Sequence, residues 1–76
     1  MLDRETRTMI HLAAVAHGTS VANVLSRRNW RKDKSAREVA AKAMRESGMS
    51  WPAIGRALNR HHSTVMHMCG ALGVRR

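Results

Sequence analysis

Five histidines and one cysteine are the side chains of this sequence best suited to catalytic or metal chemistry. His62, His67 and Cys69 fall close together, with four residues and then one residue between them. That spacing does not match a zinc finger, and a lone cysteine leaves a tetrahedral site short of ligands. A nucleophilic pair of Cys69 with a histidine fares no better, because Cys69 falls near an apolar stripe and no carboxylate is placed to orient its partner. A phosphate-cradling G-x-x-x-x-G-K-[ST] loop is missing as well. The expectation is no enzyme activity, no cofactor and no metal. What these residues offer instead is recognition.

The run Arg60-His61-His62-Ser63-Thr64, continued by Met66 and His67, supplies groups of the kind that read base edges and phosphates. At the positive end of a helix they would meet an anionic backbone favourably. Ordinary capping by Ser63 or Thr64 is the plainer alternative. Met66 is suited to a thymine methyl. Upstream, Arg27, Arg28, Arg31, Lys32, Lys34 and Arg37 place six of the 14 basic residues within eleven positions. A solvated charge run is one account of them; phosphate and minor-groove contact is the other. Arg56 and Arg60 sit where backbone phosphates would pass a helix-turn-helix. Trp30 is expected to pack against the helices rather than lie on the sugar-phosphate backbone.

The spacing of apolar residues predicts the elements that carry these groups. Met9, Ile10, Leu12, Ala13 and Ala16 give an apolar face to a first helix, from about residue 2 or 3 to Ala16, capped by Asp3 or Thr6 and ended by Gly18. Thr19 or Ser20 caps a short second helix through Val21, Val24 and Leu25. Ser26 to Lys34 breaks the periodicity and reads as a basic loop. Ser35 and Glu38 have capping-box spacing, which starts the third helix at Ser35 and carries it through Val39, Ala40, Ala43 and Met44 to a stop at Gly48. Ser50 caps the fourth helix, with Pro52 tolerated in its first turn. Ile54 and Leu58 share one helical face, and Val65, Met68 and Leu72 share another on a fifth helix from about His62 to Leu72. Gly55 removes a side chain where two helices would approach, and Asn59 suits a turn that needs a positive φ.

The expected fold is all-α: one compact five-helix domain over residues 1–76, with a helix-turn-helix at about 50–72 and a basic loop at 26–34. Hydrophobic residues at 43%, with no Phe or Tyr, suffice for one small core of Leu, Val, Ile, Ala and Met. A net charge of +9 favours a polyanionic partner. The basic residues do not gather on one long amphipathic helix, which weighs against a membrane surface. No stretch approaches the ~20 apolar residues of a membrane span, and Asp3, Arg4 and Glu5 interrupt any secretory signal. With its single cysteine, the chain is expected in a reducing, cytoplasmic setting, associated with the nucleoid.

Four strings carry a more specific likeness: V-A-N-V-L-S-R-R (Val21 to Arg28), S-A-R-E-V-A (Ser35 to Ala40), S-W-P-A-I-G-R-A-L (Ser50 to Leu58) and N-R-H-H-S-T-V-M-H-M (Asn59 to Met68). In order and spacing the stretch from Val21 to Leu72 resembles the C-terminal DNA-binding domain, domain IV, of the bacterial replication initiator DnaA. The resemblance implies a Trp-repressor-like helical domain on double-stranded DNA. Its helix-turn-helix would enter the major groove, and its basic loop would lie on the adjacent minor groove and backbone. It further implies base and phosphate contacts by His62, Ser63 and Thr64, and a DNA contact by Arg37. His61 stands where the family has a capping Asp, and the turn Asn59-Arg60 is one residue shorter than the family's G-G-R. Asn29 aligns with the loop arginine expected in the minor groove, leaving Arg28 or Arg31 as substitutes.

Lacking an ATPase module, the chain is expected to be a stand-alone regulator, of phage or mobile-element origin, or a DNA-binding fragment. Its expected role is sequence-specific binding of double-stranded DNA as a transcriptional regulator. A module of replication initiation or its control, and a protein-interaction module using the same fold, are the alternatives. The first helix is the spare surface for a transcription or replication protein. With no heptad seam, a monomer or weak dimer is expected.

Overall fold

The computed structural model describes residues 3–28 and 30–70. Five helices follow in order, α1 (Arg4–Ala16), α2 (Val21–Leu25), α3 (Arg31–Glu46), α4 (Trp51–Leu58) and α5 (His62–Met68), with no strand among the described residues. Side-chain oxygens start three of them. Asp3 Oδ1 accepts from the Thr6 amide at 2.8 Å, Ser20 Oγ from Asn23 at 3.2 Å, and Ser50 Oγ from Ala53 at 3.3 Å. Each satisfies one of the four amides that a helix start leaves without a partner.

The core takes Ile10, Ala13 and Ala14 from α1, Val24 from α2, and Ala36, Ala40, Ala41 and Met44 from α3. Ile54, Ala57 and Leu58 of α4 and Val65 of α5 complete it. Alanines on both sides let α1 and α3 lie close, while the six larger buried chains, Ile10, Met44, Ile54, Leu58, Val24 and Val65, supply most of the burial. Each contributes about 1.5–3 kcal/mol, so the core is small and every member counts.

Two expectations are corrected. On α1, Leu12 and Val15 are about 60% exposed and Ala16 is exposed, whereas Thr6, Ile10, Ala13 and Ala14 are buried. One helical period from Ile10 reaches Thr6, Ala13 and Ala14, and this is the stripe that meets α3. In turn α3 starts at Arg31, one turn earlier than the periodicity implies. Ser35 lies inside that helix and caps nothing; Glu38 instead pairs with Lys42 at 3.4 Å. Trp30 is the N-cap without a side-chain bond, and Asp33 in the first turn supplies the negative charge that a helix start favours. Asn29, Leu72, Gly73, Arg75 and Arg76 lie outside the described residues.

Candidate nucleic-acid interface

Helices α4 and α5 form a tight pair joined by Asn59, Arg60 and His61. Asn59 adopts φ 58 and ψ 42, the left-handed conformation that Asn tolerates and that reverses the chain. The Asn59 and Arg60 amides then donate to the carbonyls of Arg56 and Gly55 at 3.3 and 2.8 Å, closing the end of α4. Gly55 faces that turn. A Cβ there would stand 2.6 Å from the Arg60 carbonyl oxygen and 3.1 Å from the His62 nitrogen. The close approach that Gly55 implied is present.

On α5, Val65 is buried while His62, Ser63, Thr64 and His67 are exposed and Met66 is half-buried. The missing capping carboxylate has been replaced. His61 is the N-cap of α5, its Nδ1 accepting from the Ser63 amide at 3.2 Å and lying 2.7 Å from Ser63 Oγ. Its ring stacks on His62 with centroids 4.3 Å apart. Ser63 is thus partly occupied within the protein, which leaves His62, Thr64 and His67 as the freer polar groups on this face. We expect His61→Asp to stabilise the domain by about 0.5–1 kcal/mol, because a carboxylate is the stronger partner for a helix start. A melting temperature unchanged or lowered in the variant would show that the imidazole already serves as well.

The arginines divide into two groups. Arg27, Arg31, Lys32, Lys34 and Arg56 are exposed. Arg27 and Arg56 line one shallow depression together with Arg60, His61 and His62, so the loop and the start of α5 share a surface. Arg31, Lys32 and Lys34 rise from the first turn of α3 rather than from a loop.

The other group faces inward. Arg37 is only 2% exposed; its Nε and Nη2 donate to the Val24 carbonyl at 3.1 and 2.9 Å, and Nη2 reaches the Arg28 carbonyl at 3.5 Å. Burial and the nearby Arg60 charge pull its pKa below the usual arginine value, against the opposing pull of Asp33. Arg37, expected to contact DNA, is instead buried, with Nε and Nη2 already held by protein carbonyls. Arg28, 30% exposed, bonds Asp33 Oδ2 through Nε at 2.6 Å and lies 3.8 Å over the Trp30 ring. Arg60 is half-buried and donates to the Ser26 and Asn59 carbonyls. Trp30, expected to pack inside, is 57% exposed.

Asp33 was not singled out in the sequence, although it is the one acidic residue between Ser26 and Arg37. It is fully buried and accepts from Arg28 and from Thr19 Oγ1. Those two bonds hold its carboxyl below the usual carboxylate range, outweighing burial, which acts the other way. A depressed folded pKa means this anchor is fully present above the ordinary carboxylate range and is lost as pH falls through the lowered value. No group of three or more His, Cys, Asp or Glu among the described residues is arranged to hold a metal ion. Burial pushes the Cys69 thiol up, away from the reactive thiolate. No described helix is long and apolar enough to cross a membrane.

Neither the curated proteins nor the solved structures provide a match to this chain. The family model for the bacterial DnaA protein helix-turn-helix matches residues 7–71 and so takes in all of α2 to α5 and most of α1. A helix-turn-helix of that family supports DNA binding, in keeping with the exposed polar face of α5. By this match and this fold, the chain belongs to the bacterial DnaA helix-turn-helix family.

Proposed function

We propose that the domain binds double-stranded DNA sequence-specifically and acts as a transcriptional regulator. Helix α5 enters the major groove with His62, Ser63, Thr64, Met66 and His67. The segment bearing Arg27, Arg31, Lys32 and Lys34 lies on the neighbouring backbone or minor groove. The observation that carries this reading is the common surface made by Arg27 of the loop with Arg56, His61 and His62 of the helix-turn-helix. Their continuity on one surface supports contact of both with the same duplex. The family match favours a second reading, in which the same DNA binding serves replication initiation or its control. Mapping the bound sites in a genome, at promoters or at an origin, separates the two.

Titration of the domain against duplexes selected from a random pool tests the binding itself. Five exposed cations, Arg27, Arg31, Lys32, Lys34 and Arg56, would neutralise about five phosphates. Log affinity should therefore fall with log salt at a slope of about −4 to −5. His62→Ala is expected to weaken the preferred site by ~1–3 kcal/mol and to relax selection there, while Arg27→Ala weakens all sequences alike. Binding that fails to saturate, or that ignores salt, removes the reading.

A further inference from the structure

Four backbone carbonyls at the end of α2 and in the loop after it are held by side chains from elsewhere in the fold. Arg37 of α3 takes those of Val24 and Arg28. The two turn residues of the helix-turn-helix take the pair between: Asn59 Nδ2 donates to the Leu25 carbonyl at 3.3 Å, and Arg60 Nη2 donates to that of Ser26. The second terminal nitrogen of Arg60 is bonded to the Asn59 carbonyl at 3.0 Å, so both prongs of the fork are occupied by protein. These carbonyls belong to a helix end, where orphan acceptors need partners and positive charge is favoured. Each of the two turn contacts spans 34 positions of sequence. They bring Arg27, the next residue along, to the depression shared with His61 and His62.

We propose that Asn59 and Arg60 are positioning residues that clamp the Arg27 loop to the helix-turn-helix, fixing the spacing between the loop and α5. The two then address neighbouring grooves as one body. Arg60, on this account, acts through the loop and does not itself contact phosphate. Ordering the loop in advance removes an entropy cost that would otherwise fall on DNA binding. This inference rests on the DNA-binding reading above.

The test uses Asn59→Gly, which keeps the left-handed turn and deletes the amide donor, Arg60→Met, which keeps the stem and deletes the guanidinium, and the two combined. Circular dichroism first establishes that each variant is folded. Native-state hydrogen exchange should show the Ser26 and Arg28 amides, which donate to the Asn23 carbonyl at 3.2 Å and to Ser26 Oγ at 3.4 Å, exchanging faster in the combined variant, with α4 and α5 amides unchanged. Affinity for the selected duplex should fall by about tenfold. Arg27→Ala, which weakens the parent, should cost less than about twofold in the clamp-free background, because an unheld Arg27 has little left to lose. Arg60→Lys, retaining a single donor nitrogen and the charge, should restore part of the affinity. An Arg27→Ala loss that is undiminished in the combined variant overturns the clamp. So does a pattern in which Asn59→Gly changes nothing and Arg60→Met flattens the salt slope by about one on its own, which marks a plain phosphate contact. A parent domain that binds no duplex overturns the DNA reading, whereas loop amides that exchange no faster overturn the clamp alone.

Discussion

Replacing Gly55 with alanine is expected to lower the stability of the domain by about 2 kcal/mol, although alanine is the better helix former. In an exposed helix the exchange would gain about 1 kcal/mol. Here the added carbon would meet the Arg60 carbonyl oxygen at 2.6 Å and the His62 nitrogen and Cα at 3.1 and 3.2 Å. All three are backbone atoms, so no side chain can swing aside. Either the turn shifts, straining the left-handed Asn59, or α5 moves outward and loosens Val65 from the core. For a domain of this size the loss corresponds to a fall of roughly 8–16 °C in melting temperature. Arg56→Ala, one residue along on the exposed side, should stay within about 0.5 kcal/mol and serves as the control. A Gly55→Ala protein that melts at or above the parent's temperature would show that the two helices have room to spare.

Gly55 belongs to what the sequence made legible, along with Asp3, Ser20, Ser50 and Asn59. Each meets a demand of the nearby backbone, whether a free amide, a positive φ or a close approach, and such demands are met within a few residues. The outward face of α1 was not legible in this way. Leu12 and Val15 are as apolar as Ile10, and only the position of the alanine-rich α3 decides which stripe is covered. The start of α3 was obscured for a related reason. Arg31-Lys32-Asp33-Lys34 has no apolar periodicity because its turn faces solvent, apart from Asp33, whose partners Thr19 and Arg28 come from outside the helix.

The arginines show the limit most clearly. A guanidinium suits a phosphate and a row of carbonyls equally, so residue type cannot tell Arg27 from Arg37. What separates them is tertiary. The short α2 ends with carbonyls that need side-chain partners, and the cation lying behind them is drawn in, while those in front remain exposed. On the proposed DNA binding, one charge-rich segment does two jobs, with Arg28 and Arg37 shaping the loop that presents Arg27.

On that division, Arg37→Met is expected to cost the domain about 2–4 kcal/mol, as a stability defect before it is a binding defect. The variant preserves a long apolar stem but abandons the Val24 carbonyl, which is buried behind α3 and has lost its charge-assisted partners at 2.9 and 3.1 Å. An unmet buried acceptor costs more than the net worth of the bond that met it. Arg37→Lys should recover only part of the loss, because a single ammonium cannot reproduce two converging donors. Lys34→Ala, at an exposed position on the same helix, should leave the melting temperature nearly unchanged and weaken DNA binding through the salt-dependent part alone. Urea denaturation of the three variants, paired with duplex titrations at two salt concentrations, tells the roles apart. Were Arg37→Met to melt like the parent and flatten the salt slope by about one, the guanidinium would be a phosphate ligand and the carbonyls of α2 would be satisfied in some other way.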